Sequence, residues 1–211
     1  MCNSLVKFSS PVMMTILMPV LIIAMLASGT AYAGAVVQVT DSSGQPVQDA
    51  VVYAELASGP QLAKTANAEI QQKDKKFMPF VTVVQTGTSV SFPNNDTVRH
   101  HAYSFSPAKP FELKLYSGKP AAPIIFDKAG TVVVGCNIHD QMVAYIHIVD
   151  TPYFAKTDAA GTARLPNMPA GKYVLKTWHP KQPTTASVQE QGLQMDNNNP
   201  GLTVKLNYKA I

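Results

Sequence analysis

Cys136, His139 and Met142 fall within seven residues of VVVGCNIHDQMVAYIHIV, residues 132–149, and FPNNDTVRHH supplies His100 and His101 upstream. A thiolate, two imidazoles and a thioether are a ligand set for one ion that alternates between Cu(I) and Cu(II). Sulfur favours the reduced metal, imidazole accepts the oxidised one, and a compromise geometry lets the charge change with little rearrangement. Such a set suits single-electron transfer rather than hydrolysis.

Holding these side chains together requires strands. A Cys at the end of GTVVVGC, a tight loop and a return strand from about Met142 can aim three side chains at one point, and a neighbouring strand, HHAYSF, must bring the fourth. Either adjacent His could serve. Alternation puts His101 on one face with Tyr103 and Phe105, whereas the spacing from Asp96 favours His100. Asn94, Asn95 and Asp96 read as turn residues, and Asp96 could also hydrogen-bond the ring of His100.

Strand-length runs fill the rest of the chain: AVVQVT, AVVYAEL, FVTVVQ, SVSFP and MVAYIHIV, each bounded by Gly, Pro, Asn or Asp. No long window keeps a helical period, although ASGPQLAKTANAEI could form a helical turn. The fold class expected is all-β, built as sandwiches. QEQGLQMDNNNPG reads as a surface loop before a last strand, LTVKLNY. His147 alternates with Tyr145 and Val149 and is expected to face solvent or a neighbouring domain, and His179 to be structural with Trp178 packed beneath it.

The N-terminus has the layout of a secretory signal: Lys7, the apolar run VMMTILMPVLIIAMLA, then SGTAYA before Gly34. Cleavage after residue 33 would leave 178 residues (211 minus 33) and remove Cys2; an uncleaved membrane anchor is the competing reading. With Lys7 gone, 16 basic residues face 13 acidic ones, for a formal charge of +3. Lys residues read as scattered, which argues against nucleic acid. An oxidising compartment offers a lone Cys no internal partner, so it is inert, paired between chains, or a ligand.

Residues 67–150 resemble a cupredoxin of the plastocyanin and amicyanin kind. FMPFVTVVQTGTSVSFPNNDTVRH is similar to that family's first strands and its Asn-x-Asp-x-x-x-His approach, here Asn94, Asp96 and His100, and GCNIHDQM to the short Cys-x-x-His-x-x-Met loop. The resemblance implies a Greek-key β-sandwich, one type 1 copper ion, and His100, Cys136, His139 and Met142 as its metal ligands. It departs in lacking a Pro between Cys136 and His139.

The flanks, 34–60 and 151–211, resemble a carboxypeptidase regulatory-like, transthyretin-related sandwich through TDSSGQPVQDAVV and KTDAAGTARLPNMPAGKYVL. Either the copper block is inserted into that sandwich, or residues 34–60 add strands to the block in a tandem arrangement. The whole resembles secreted cupredoxin-like chains labelled methylamine utilization proteins, which implies a periplasmic redox setting and names no substrate.

The expected function is single-electron carriage between a redox donor and a redox acceptor, with no membrane span after cleavage. Copper delivery or storage is the alternative, and a structural or binding module a further one. No nucleophile-base set or paired acidic dyad suggests an enzyme. Lys109, Lys114 and Lys119 form a candidate docking face for an acidic partner.

Overall fold

The structure, a computed structural model, describes residues 32–59, 66–120, 122–183, 188–196 and 201–209. Among these residues every regular element is a strand, so the fold is all-β. The leading strands are β1 (Tyr32–Ala33), β2 (Val36–Thr40) and β3 (Val51–Leu56). A central run follows: β4 (Asn67–Glu69), β5 (Gln71–Lys73), β6 (Lys76–Met78), β7 (Val81–Gln85), β8 (Thr88–Ser91), β9 (His100–Ser104), β10 (Phe111–Tyr116), β11 (Ile124–Phe126), β12 (Gly130–Gly135) and β13 (Val143–Val149). The chain ends with β14 (Phe154–Lys156), β15 (Thr162–Arg164), β16 (Met168–Pro169), β17 (Gly171–Trp178), β18 (Gln189–Met195) and β19 (Leu202–Lys205).

The central strands form a five-stranded sheet, β10-β9-β12-β13-β7, and a three-stranded one, β11-β8-β4. Val132 and Val134 of β12 and Ala144, Ile146 and Ile148 of β13 point one way into a core with Phe92 and Phe126. The residues between them point the other way, the period-2 alternation of a pleated strand. That outer face is not all wet: Tyr145 and His147 meet Trp178 from β17.

Strands from both chain ends share the remaining large sheets, β14-β3-β17-β18 and β15-β2-β19, around a core that includes Val37, Val39, Val52, Leu175 and Leu193. The two Thr-Asp-x-x-Gly turns are alike. Asp41 Oδ1 accepts from the amides of Ser43 and Gln45, and Asp158 Oδ1 from those of Ala160 and Thr162. They also touch: the Val39 amide donates to Gly161 O at 2.8 Å, and a Cβ on Gly161 would stand 2.6 Å from Val39 O.

Between the sheet pairs lies a third apolar cluster of Val51, Tyr53, Val81 and Val149, with Trp178 packed against it. Lys156 Nζ crosses it, donating to Asp49 Oδ1 at 2.6 Å and Val81 O at 2.8 Å.

Three expectations change, and the open one for His147 is decided. Gln189–Met195, expected in a surface loop, is strand β18, paired with β17 along its length; Glu190 and Gln194 occupy the wet face, while half-buried Gln189 and Gln191 share the inward face with Leu193 and Met195. Of the segment expected to hold a helical turn, Asn67–Glu69 is a strand, and 60–65 lie outside the described residues. Of the two surroundings expected for His147, the second is found: it is buried against the neighbouring sheet, its ring stacked on Trp178 of β17 at 4.6 Å. Trp178 therefore does not underlie His179, whose ring stacks on Tyr208 at 5.3 Å; successive strand residues point to opposite faces.

The signal segment, apart from Tyr32 and Ala33 in β1, lies outside the described residues, as does Cys2. No helix among the described residues is long and apolar enough to cross a membrane.

Candidate metal centre

Three chain segments converge at one end of the five-stranded sheet. β9 starts at His100, β12 ends just before Cys136, and β13 starts just after Met142. Because Gly135 pairs with Val143, residues 136–142 form a closed loop across two adjacent strands. The loop is pinned by the Met142 amide donating to His139 O at 2.9 Å. Register brings Tyr103 of β9 opposite Gly135, where an added Cβ would press on the tyrosine ring at 3.3 Å. Glycine here leaves room for the Tyr103 ring to lie across β12.

His100, Cys136 and His139 each offer one ligand atom, and these atoms lie within 4.8 Å of one another. Cys136 Sγ is 3.9 Å from His139 Nδ1, and the two imidazole centroids are 5.0 Å apart. Among the described residues Cys136 is the free cysteine, and it is buried.

His100 is wholly buried, and its Nε2 donates to Asp96 Oδ2 at 2.6 Å. A carboxylate only accepts, so Nε2 carries a proton, and in the neutral ring the lone pair is on Nδ1. Nδ1 has no protein partner although it is buried. A buried polar atom left without a partner costs free energy.

His101 points to the opposite face, its Nε2 3.0 Å from Glu112 Oε1 and its ring 5.2 Å from that of Tyr103. Alternation thus sends one of the adjacent histidines to the cluster and the other away from it. Met142 is buried in the same apolar cluster as Cys136.

Asp96 is central to the support of the site. Its Oδ1 and Oδ2 accept the amides of Asp74 and Lys75 at 2.7 and 2.9 Å, besides His100. Burial alone would raise its pKa, but the hydrogen bonds from Lys75, His100 and Asp74 together hold it below the usual carboxylate range. Asn94 ties the same loop down, its Oδ1 accepting the Asp96 amide and its Nδ2 donating to Val98 O and Tyr116 O. Asn95 Nδ2 reaches Gln71 Oε1 at 3.0 Å.

Sequence reasoning missed Gln72 and Tyr116. The Tyr116 hydroxyl donates to Phe92 O at 2.6 Å and receives Gln72 Nε2. Burial first, offset by the Gln72 hydrogen bond and aided by the charge of Cys136, pushes its pKa up to about 12. A neutral phenol thus stands within charge range of the thiol. Neither residue carries a local sequence signal, since both are ordinary members of alternating strands.

The donor set fits a soft-to-borderline ion: two imidazoles, one thiol and an orphaned lone pair on His100, with His100 and Cys136 buried and His139 half-buried at the edge.

No protein-family model matches the sequence, and no curated protein does. Solved structures are similar in part. A purple cupredoxin from Nitrosopumilus maritimus is 19% identical over 39% of this chain and 99% of its own, with a TM-score of 0.35. A reduced Cu(I) amicyanin variant is 17% identical over 46% of this chain and 99% of its own, at 0.36. A copper-containing nitrite reductase from Thermus scotoductus is 22% identical over 53% of this chain and 28% of its own, at 0.37. The neighbours of this all-β chain among solved structures are cupredoxins.

Proposed function

We propose that this protein is a type 1 copper protein, secreted or periplasmic, that carries single electrons between a donor and an acceptor protein. The observation that supports it best is the buried, unpartnered Nδ1 of His100 in a cluster with Cys136 and His139. In this reading His100 and His139 bind through imidazole nitrogen, Cys136 through thiolate and Met142 through an axial thioether. Copper, when bound, supplies a one-electron couple.

The chain's own residues keep reorganisation small. Asp96 fixes the ring of His100, the Met142 amide fixes the loop carbonyl at His139, and packed Phe92, Val134 and Ile146 exclude water. We read β2, β3 and β14–β19 as one sandwich interrupted by the copper block of residues 67–150, since strands from both ends share its sheets.

The test is optical. Purified protein given one equivalent of Cu(II) should develop an intense thiolate-to-copper band that dithionite bleaches and ferricyanide restores. Weak absorption, with Cys136 still open to a thiol reagent, would refute the assignment. Rapid loss of Cu(I) to a competing chelator on reduction would favour delivery over carriage.

A further inference from the structure

A basic turn is fastened to the metal centre. β5 and β6 are joined through Asp74 and Lys75, both at positive φ, 52° and 54°. That is the conformation of a tight two-residue hairpin turn, and it strains residues that are not glycine. Asp96 holds it by accepting both turn amides with the same carboxylate that holds His100. The hairpin is laced to the 93–96 loop at three further points: Gln72 N–H to Pro93 O, Asn95 N–H to Gln72 O, and Asn95 Nδ2 to Gln71 Oε1.

Lys73, Lys75 and Lys76 project from this turn, and Arg99 precedes His100; all four are exposed, and none is in an ion pair among the described residues. The exposed acids nearest the turn in sequence are Asp74 within it and Glu69 four residues before Lys73, and Asp140 is exposed on the ligand loop. Exposed apolar side chains lie on the same two loops, Val98 beside Arg99 and Ile138 beside His139. Lys109, by contrast, is already paired with Asp127 at 2.9 Å.

We propose that the Lys73–Lys76 turn, with Arg99, is the docking surface for an acidic face of the redox partner, held in register with the metal centre by Asp96. The proposal rests on the electron-carrier reading and adds the sign of the partner's charge and the residues that meet it. An unpaired basic patch with an apolar spot at its side attracts a negative face at long range and seats it at short range.

The experiment follows one electron leaving the reduced, copper-loaded protein and converting hexacyanoferrate(III) to hexacyanoferrate(II), by stopped flow at low salt. Appearance of the thiolate band beforehand reports separately on the copper reading. Combined Lys73→Glu, Lys75→Glu and Lys76→Glu should slow this reaction about tenfold or more, and salt should erase the difference. The cationic oxidant tris(phenanthroline)cobalt(III) should instead react faster with that variant. Lys109→Glu, Lys114→Glu and Lys119→Glu together, the same change in net charge, should have a much smaller effect.

Equal slowing by the two triple variants would overturn the proposal, because net charge and not this turn would then set the rate. The metal-free chain carries the same turn. It should bind poly-L-glutamate with amide shifts at residues 71–76 that the first variant abolishes, and absence of those shifts would count against the surface even if no thiolate band forms. Capture on phosphatidylglycerol vesicles with unchanged hexacyanoferrate kinetics would overturn the protein-docking assignment in favour of a lipid surface.

Discussion

His100 shows how much one residue's neighbours decide. Its Nε2 is committed to Asp96 while its Nδ1 is buried without a partner, so the ring is already oriented for a ligand atom. Replacing Asp96 with Ala removes three accepted hydrogen bonds at once and should cost about 2 kcal/mol of stability. Chemical denaturation of the metal-free protein measures it, and an unchanged midpoint would mean that the turn and ring are held by something else. Cys136→Ser should abolish the intense visible band while leaving the fold intact, since the side chain keeps nearly its size. Met142→Leu conserves volume and should cost less than about 1.5 kcal/mol; a shifted reduction potential would identify the thioether as a ligand, and an unshifted one as packing. The spacing from Asp96 favoured His100 over His101, and alternation alone did not decide between them. Alternation says that they face opposite ways but not which way is inward, because that depends on the partner strand bearing Gly135.

Elements were easier to read than their environments. Runs of β-branched and aromatic residues gave the central strands, and the two Thr-Asp-x-x-Gly turns gave the positions where Asp side chains cap the backbone. β18 was missed because Gln189 and Gln191 take two of its four inward positions, so polarity hid the period. The β5–β6 turn was missed as a feature because its meaning comes from Asp96, some twenty positions on. Gly161 is where the turns touch, with φ at 74° and Val39 O too close for a Cβ. Gly161→Ala should therefore destabilise by more than about 1 kcal/mol, a lowered denaturation midpoint being the readout. A neutral result would mean that the 158–161 turn can move off β2 at little cost.

Over the whole molecule the two sheet pairs are joined by an apolar seam, and a titratable group lies in it. His147, stacked on Trp178 and hydrogen-bonded through Nδ1 to Thr131, has its pKa lowered by burial from 6.5 to about 4. The folded state therefore holds this ring neutral while the unfolded chain can protonate it. Its contribution is complete above pH 6.5 and is lost as the pH falls toward 4, by roughly 3 kcal/mol. His179, lowered to about 4 mainly by burial, acts in the same direction. The melting temperature should drop between pH 7 and pH 5, and His147→Gln should flatten that slope; an undiminished slope would remove His147 from the account. The sequence could suggest two sandwiches, but not that His147 and Trp178 meet, since that contact joins strands with no local link between them. The most direct test of the central claim is copper-edge X-ray absorption on the loaded protein. A site of His100, Cys136 and His139 should give one short copper–sulfur distance and two nitrogen scatterers, with the sulfur shell lost in Cys136→Ser. A coordination shell of nitrogen and oxygen alone, unchanged in that variant, would contradict it.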